Sequence, residues 1–217
     1  MKIALIGASG FVGSAILNEA LQRGHEVIAL ARHTENIKRE DPQLKKIKVD
    51  VFNQEELAQS IKKADAVVSA YNAGWTNPNL YEDFLKGAKA VQEGVKRSGV
   101  KRFLFVGGAG SLFIAPGQQL VDTPQFPAEW KPGALAARDY LNLLKNEKEL
   151  EWTFLSPAVE MHQGTSGNKK GQYRTGLENP VFDPNGRSVI SVEDLAAAIV
   201  DELEQPRHIG KRFTVAY

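Results

Sequence analysis

Three glycines follow an apolar run at the start of the chain and constrain its fold more than any other feature. The run Ile3–Ile6 leads into Gly7, Gly10 and Gly13, and residues at helical spacing continue after them. A strand that turns through glycine into a helix leaves backbone N–H groups, and the positive end of the helix dipole, at the turn. The segment therefore predicts a strand–turn–helix unit whose turn can bind an anion such as a phosphate.

The rest of the chain alternates strand-like and helix-like segments. Further strands are expected at Glu26–Ala31, Ile47–Val49, Ala66–Ala70, Arg102–Val106, Trp152–Leu155 and Arg212–Ala216, and helices at Phe11–Arg23, Gln54–Lys62, Leu80–Arg97 and Ala134–Lys148. Strands that are apolar on both faces favour a parallel sheet covered by helices on each side. Right-handed crossovers then favour the doubly wound parallel α/β sheet, the Rossmann fold.

The alternation of strand-like and helix-like segments changes after Pro157, although no linker divides the 217 residues into separate domains. The stretch 163–186 indicates a loop or short irregular strands. Ser191 is placed to cap a last helix that Pro206 closes. We expect a single domain over residues 1–217, in which residues from about 157 to 217 form a small elaboration on the substrate side.

Composition narrows the classes of partner. A net charge of +1 and a pI near 7.9 argue against nucleic-acid binding. The chain contains no cysteine, which excludes disulfides and zinc–thiolate sites and suits a reducing cytoplasm. No signal peptide or apolar run of about 18 residues is visible, so no membrane partner is expected. We therefore expect a cytoplasmic protein whose partner is a small molecule. The sequence does not indicate an oligomeric state.

The glycine turn has the features of a dinucleotide site. Gly7 permits a tight turn, Gly10 permits a close approach of pyrophosphate, and Gly13 lets the helix pack near the sheet. A glycine-rich turn without a ligand is the alternative, but the strand before it and the helix after it favour binding. The spacing resembles the short-chain dehydrogenase/reductase superfamily, in its extended and atypical members. The whole loop is assigned to the cofactor, through Gly7, Ala8, Ser9, Gly10, Phe11, Val12 and Gly13.

The end of the second strand indicates which dinucleotide binds. NAD-binding proteins commonly carry an acidic residue there, whereas this chain has Arg32, followed by His33. A cation at this position suits the 2′-phosphate of NADP, so NADP is preferred and NAD stays possible. An ordinary surface arginine is the alternative reading of Arg32.

The resemblance to the superfamily extends the cofactor site beyond the glycine turn. It implies that Asp50 bonds the adenine amino group and Val51 packs on the ring, although Asp50 could instead cap the helix that begins near Gln54. The stretch "SAYNAG" assigns Ala70, Tyr71 and Asn72 to the cofactor. The remaining assigned positions follow the fifth and sixth strands, at Gly107, Gly108 and Pro157.

The usual catalytic residues of the superfamily are not where its pattern places them. Carbonyl reduction there uses a serine after the fifth strand and a Tyr-x-x-x-Lys pair whose tyrosine donates a proton. Here "VGGAGSLF" brings Ser111 a few residues late, and Tyr140 and Lys145 are five residues apart. That spacing separates them by about 140° around a helix, so we expect ordinary helix residues. Ser111 and His162 are the candidate catalytic residues, with a turn residue and an exposed histidine as the alternatives.

The stretches "GASGFVG", "FVGGAGSL", "WTFLSPA" and "ISVEDLAAAIVDELE" resemble the NADH-flavin-reductase-like branch of this superfamily. Its relatives include biliverdin reductase B and NmrA-like regulators. The resemblance implies an NAD(P)H-dependent reductase that passes hydride to a flavin or a similar planar acceptor. A non-catalytic NADP-binding redox sensor of the NmrA type is the alternative. A sugar-nucleotide epimerase or dehydratase fits less well, because those enzymes keep the Tyr/Lys pair and carry a larger substrate lobe.

Aromatic residues could form the acceptor side of the site. Those that could stack on a planar ring are Phe113, Phe126, Trp130 and Tyr173. Trp75, in the loop after the fourth strand, could cover the cofactor. Simple packing is the alternative role for each of them.

Overall fold

The computed structural model describes residues 1–217 and contains one large sheet, one small hairpin and five α-helices. The strands are β1 Lys2–Ile6, β2 Glu26–Ala31, β3 Leu44–Lys48, β4 Ala66–Ser69, β5 Arg102–Val106, β6 Phe113–Ala115, β7 Gln118–Gln119, β8 Glu151–Ser156, β9 Arg174–Gly176 and β10 Lys211–Ala216. The helices are α1 Phe11–Gln22, α2 Gln54–Ile61, α3 Leu80–Ser98, α4 Lys131–Leu144 and α5 Val192–Glu204.

The large sheet has eight strands in the order β3-β2-β1-β4-β5-β8-β10-β9. Every neighbouring pair is parallel except β10 with β9. The predicted doubly wound parallel sheet is confirmed. The chain moves outward from β1 to β3 and then returns to place β4 on the other side of β1, so the strand order reverses between β1 and β4. Ligands of doubly wound folds bind at such a reversal, beyond the carboxyl ends of the strands.

Two apolar cores lie on opposite faces of this sheet. Ile3 and Leu5 of β1 face the core shared with α1 and α5, whereas Ala4 and Ile6 face the core shared with α2, α3 and α4. Side chains of a strand alternate between faces, so a strand covered on both sides must be apolar at every position. Burying one Leu or Ile side chain contributes about 1.5–3 kcal/mol, so these cores are the main source of stability.

Two elements differ from the sequence prediction by more than one residue at an end. The third strand covers Leu44–Lys48 rather than Ile47–Val49, because its backbone pairs in register with the whole of β2. Its lysines hide it from a hydrophobicity pattern, since β3 is the edge strand and part of it faces water. Helix α4 begins at Lys131, with a proline in its first turn, and ends at Leu144 instead of running from Ala134 to Lys148.

The segment after Pro157 adds the strands β9 and β10 to the same sheet and also contains helix α5. The Ser191 side chain accepts a hydrogen bond from the Asp194 N–H and caps α5, as the sequence predicts. Helix α5 packs beside α1, and β10 lies between β8 and β9. None of the helices combines the length and the apolar composition that a membrane span requires.

Candidate functional site

The crevice at the strand reversal lies between the turn after β1 and the turn after β4. The Gly7 N–H donates to the Leu30 carbonyl at 3.0 Å, and the Ala70 N–H donates to the Ile6 carbonyl at 2.9 Å. These bonds extend the hydrogen bonding of the sheet just past the ends of β1 and β4, so both turns lie at the same edge of the sheet. The carboxyl ends of β1, β2 and β4 therefore meet around the glycine turn.

The three glycines of the turn meet different steric demands. Gly7 has a φ of +80°, and a Cβ there would lie 2.6 Å from the Ala70 carbonyl oxygen. A Cβ on Gly13 would lie 2.1 Å from the Gly7 carbonyl oxygen. A Cβ on Gly10 would meet only that same oxygen, at 3.4 Å. Gly7 and Gly13 are thus needed by the backbone itself, whereas Gly10 leaves a surface open toward the crevice.

Backbone donors at the start of α1 have no partner within the protein. The N-cap residue is Gly10, which has no side chain to cap the helix. The N–H groups of Phe11, Val12 and Gly13 donate to no backbone carbonyl and to no side chain, because the first bond of this turn is from Ser14 to Gly10. With the positive end of the helix dipole, these donors fit an anionic group such as a pyrophosphate. Ala8 is buried beneath the turn and Ser9 is exposed on it.

The ends of β2 and β3 lie beside the crevice. Arg32 is exposed directly after β2, and Asp50 is exposed shortly after β3. The suggestion that Asp50 caps α2 is wrong, because the cap is Asn53, whose side chain accepts from the Glu56 N–H at 3.3 Å. Asp50 instead closes a turn by accepting from the Phe52 N–H at 3.0 Å. Its outer carboxylate oxygen is left for another donor.

The charges at the ends of the neighbouring strands β2 and β3 act on the phenol of Tyr71, which follows β4. Burial raises the pKa of the Tyr71 phenol, and the Arg32 cation opposes that shift. Asp83 and Asp50 act in the same direction as burial. One half-buried phenol therefore senses charges from the ends of β2 and β3, which the sequence predicts to lie around one cofactor.

Residues after β4 are held by local hydrogen bonds. The Tyr71 hydroxyl donates to the Asp83 carbonyl at 3.1 Å, and its ring occupies the space that a Cβ on Gly87 would need. Asn72 accepts from the Gly74 N–H at 2.7 Å. Ala70, Tyr71 and Asn72 thus form a fixed wall beside Gly7.

The glycines after β5 allow close packing at the same edge. A Cβ on Gly107 would lie 1.9 Å from the Phe154 ring, so only glycine fits there. Gly108 has the Ala137 Cβ at 3.7 Å as its nearest neighbour and could carry a small side chain. Pro157 is buried directly after the neighbouring strand β8. These three positions surround the carboxyl ends of β5 and β8.

The structure gives the Ser111 hydroxyl a structural role rather than a place in the crevice. Ser111 is 1% exposed. Its Oγ and its carbonyl oxygen both accept from Nη1 of Arg212, each at 2.8 Å, and Nη2 of Arg212 pairs with Glu178. The sequence prediction places Arg212 at the start of the last strand but gives it no part in the site, because it lies 101 residues from Ser111 and no local pattern connects them.

His162 and Tyr140 also have structural partners. The His162 ring accepts from the Gly164 N–H at 3.0 Å, so this exposed histidine caps the short turn 163–165. Tyr140 is fully buried, and its hydroxyl donates to the Gln92 side chain at 3.1 Å. Burial raises the pKa of the Tyr140 phenol well above its usual range. Lys145 is exposed and follows the last residue of α4.

Comparison with known proteins identifies the family. Residues 7–206 match the sequence profile of the NAD(P)H-binding family. The chain belongs to the NAD(P)H-binding family. A Bacillus subtilis protein, named uncharacterized protein YwnB, is 41% identical over 217 residues, which cover 99% of this chain and 98% of YwnB.

Two solved structures resemble this member of the NAD(P)H-binding family over its whole length. A Bacteroides thetaiotaomicron protein, named "putative epimerase", is 50% identical, with a TM-score of 0.92 and coverage of 100% of this chain and 96% of its own. A Streptococcus pneumoniae protein, named "putative NADH-flavin reductase", is 38% identical, with a TM-score of 0.86 and coverage of 100% and 99%. The resemblance to the flavin-reductase-like branch is confirmed, while the two names point to different chemistries.

Proposed function

We propose that the chain is an NAD(P)H-dependent oxidoreductase that transfers hydride to a flavin or a similar planar acceptor. One observation carries the choice of acceptor. The donors that fit a dinucleotide are free at the start of α1, whereas Tyr140, the tyrosine nearest to the position of the usual acid, is fully buried against Gln92. The site can therefore bind the hydride donor. The buried Tyr140 cannot reach the acceptor to donate a proton.

This combination suits an acceptor that spreads its own charge. Hydride addition to a simple carbonyl forms an alkoxide, which needs a proton donor at that oxygen. A flavin takes hydride at a ring nitrogen and spreads the resulting charge over its rings, so correct positioning can supply most of the catalysis. Neither Ser111 nor His162 is required as an acid, which agrees with their structural hydrogen bonds.

Different residues of the crevice hold different parts of the cofactor, whose nicotinamide supplies the hydride when bound. The free N–H groups of Phe11, Val12 and Gly13 bind the pyrophosphate. Asp50 and Val51 hold the adenine, and Arg32 binds the 2′-phosphate of NADPH, which makes NADPH the preferred donor. Gly107 lets the backbone after β5 pack against Phe154, and Gly108 carries no side chain that would restrict the approach of the acceptor.

The same crevice suits a redox sensor that binds NADP without turnover, as in NmrA-like proteins. A sugar-nucleotide epimerase has less support, because such chemistry needs a base at the sugar hydroxyl and the Tyr140 hydroxyl is buried. Steady-state oxidation of NADPH and NADH, with FMN, FAD and a quinone as acceptors, separates these functions. We expect turnover with at least one planar acceptor. Tight NADP binding without turnover on all three would contradict the reductase and favour the sensor.

Replacing Arg32 tests the choice of donor. Arg32→Ala should weaken NADPH binding about tenfold, equivalent to about 1.4 kcal/mol, and leave NADH binding unchanged. Arg97→Ala is the matched control, because Arg97 is exposed at the far end of α3 and pairs with Glu93. Isothermal titration with both nucleotides measures the ratio. An unchanged NADPH/NADH ratio in Arg32→Ala would remove Arg32 from the cofactor site.

A further inference from the structure

Two of the three tryptophans are exposed at the same edge of the sheet. Trp152 is 4% exposed within the core, whereas Trp75 and Trp130 are 62% and 50% exposed. Trp75 lies in the loop after β4, and Trp130 directly precedes α4. The loop of Trp75 leaves β4 at the crevice, and the Trp75 indole lies against Gly133 at the start of α4, so both tryptophans belong to the same edge of the sheet.

The loop that carries Trp75 is held in a defined shape. The Asn72 side chain accepts from the Gly74 N–H at 2.7 Å, and the Asn77 N–H donates to the Gly74 carbonyl at 3.0 Å. The Asn77 side chain donates to the Ala73 carbonyl at 3.3 Å and to Asp83 at 2.8 Å. These bonds on both sides of Trp75 restrict the backbone and lower the entropy lost when a ligand contacts the indole.

One edge of the Trp75 indole rests on the first turn of α4. A Cβ on Gly133 would lie 2.9 Å from Cζ3 of Trp75, so the absence of a side chain there makes room for the ring. Leu80, at the start of α3, lies beside the same glycine. The indole therefore lies against the start of α4, and most of its remaining surface is open to solvent.

The other predicted stacking residues are engaged elsewhere. Phe113 lies against the Arg212 guanidinium, and Phe126 is half-buried beside Gly110. Tyr173 forms a hydrogen bond to Asp201 of α5, on the opposite face of the sheet from α3 and α4. Among the aromatic residues that the sequence assigns to the site, Trp75 and Trp130 are the exposed ones. The contact with Gly133 places the Trp75 indole at the first turn of α4, and its role as a cover over the cofactor stays a prediction.

We infer that Trp75 is the platform on which the planar acceptor stacks, an inference that rests on the proposed function. Stacking of a planar heterocycle on an aromatic side chain contributes about 1–3 kcal/mol, which corresponds to about 5- to 150-fold in affinity. The platform selects flat acceptors by shape and needs no group-specific hydrogen bond. Trp75 thus sets the affinity for the acceptor, while the glycine turn sets the affinity for the nucleotide.

Equilibrium binding of FMN to the protein saturated with NADP⁺ tests this role without turnover. Trp75→Ala should raise the FMN dissociation constant at least fivefold, and Trp75→Phe should restore most of the affinity. Gly133→Ala should also weaken FMN binding, because the new Cβ displaces the indole. Leu143→Ala, an exposed position near the end of α4, is the control and should match the wild type. The NADP⁺ dissociation constant and the thermal midpoint of Trp75→Ala should stay unchanged.

The outcomes separate this inference from the proposed function. Wild-type turnover with FMN, together with unchanged FMN affinity in Trp75→Ala, overturns the platform alone. Loss of NADP⁺ affinity with unchanged FMN affinity also overturns it and returns Trp75 to the role of a cofactor cover. FMN binding that depends on Trp75 but gives no turnover supports the platform and overturns the reductase.

Discussion

The two ends of the sheet use their polar groups in opposite ways. At the amino end, the buried Arg102 guanidinium donates to the Glu151 carbonyl and the Thr153 hydroxyl at 2.8 Å, and to the Glu202 carboxylate at 3.0 Å. Glu202 also accepts from the N–H groups of Arg207 and His208. At the carboxyl end, the donors at the start of α1 bond nothing within the protein.

The polar groups at the amino end of the sheet therefore contribute to stability, whereas the free donors at the carboxyl end are available for ligand binding. A buried charge lowers stability unless it is paired and hydrogen-bonded, so the amino end must satisfy its groups internally. A site for an anionic ligand needs donors that the protein does not already use. Substitutions at the amino end should therefore change unfolding and leave nucleotide binding intact, and selected substitutions at the carboxyl end should do the reverse.

The largest effect is expected from breaking the amino-end ion pair. Glu202→Ala leaves the buried Arg102 without its partner and should lower the free energy of unfolding by about 3–5 kcal/mol. Urea denaturation measures the change. Glu151→Ala is the control and should have little effect, because Arg102 uses only the carbonyl of Glu151 and the Glu151 side chain is exposed. A loss below about 1 kcal/mol in Glu202→Ala would show that the pair does not secure this end.

A large but different effect is expected at the glycine turn. Gly10→Ala should weaken NADPH binding at least tenfold, because the methyl group would lie where the pyrophosphate approaches. Its thermal midpoint should barely change, since the new Cβ meets only the Gly7 carbonyl oxygen, at 3.4 Å. Gly13→Ala is the matched comparison and should lose both stability and binding. Equal losses of stability in the two variants would contradict the distinct roles of these glycines.

The smallest effect is expected from an exposed ion pair after β8. Hydrogen bonds from Arg187 lower the pKa of Glu160, so the pair stabilises the folded state above the ordinary glutamate pKa of about 4.3. That contribution is lost as the pH falls through the lowered pKa. The difference in thermal midpoint between wild type and Arg187→Ala should be small at neutral pH and vanish in stronger acid. A difference that persists in acid would assign another role to Arg187.

Much of the fold can be predicted from local patterns in the sequence. Buried parallel strands are apolar at every position, and the cap at Ser191 is a local signal, so the order of the elements follows from the sequence alone. The third strand is the exception, because Leu44–Lys48 gains its structure from pairing with β2 rather than from its own apolar residues. The hairpin of β6 and β7 is equally hidden, since its strands are only three and two residues long.

The cofactor side of the site is more predictable than the acceptor side. Residues around the glycine turn follow consecutive strands, and the topology alone brings them to one edge. Contacts between distant segments determine the acceptor side. Arg212 donates to the Ser111 hydroxyl across 101 residues of sequence, and the glycine beside the Trp75 indole, Gly133, belongs to α4. No spacing rule connects such pairs, which is why the sequence assigns Ser111 to catalysis and does not predict the contact of Trp75 with Gly133.

The lysines of β3 have a consequence for how copies of this protein behave in a crowded solution. An outermost parallel strand exposes a row of unpaired backbone groups, which can recruit a strand from another molecule. Lys45, Lys46 and Lys48 place positive charges along this row, so two such edges repel one another before they can align. At the other side of the sheet the outermost strand, β9, is three residues long and antiparallel to β10, which gives a partner little to extend. The sheet thereby resists edge-to-edge aggregation on both sides.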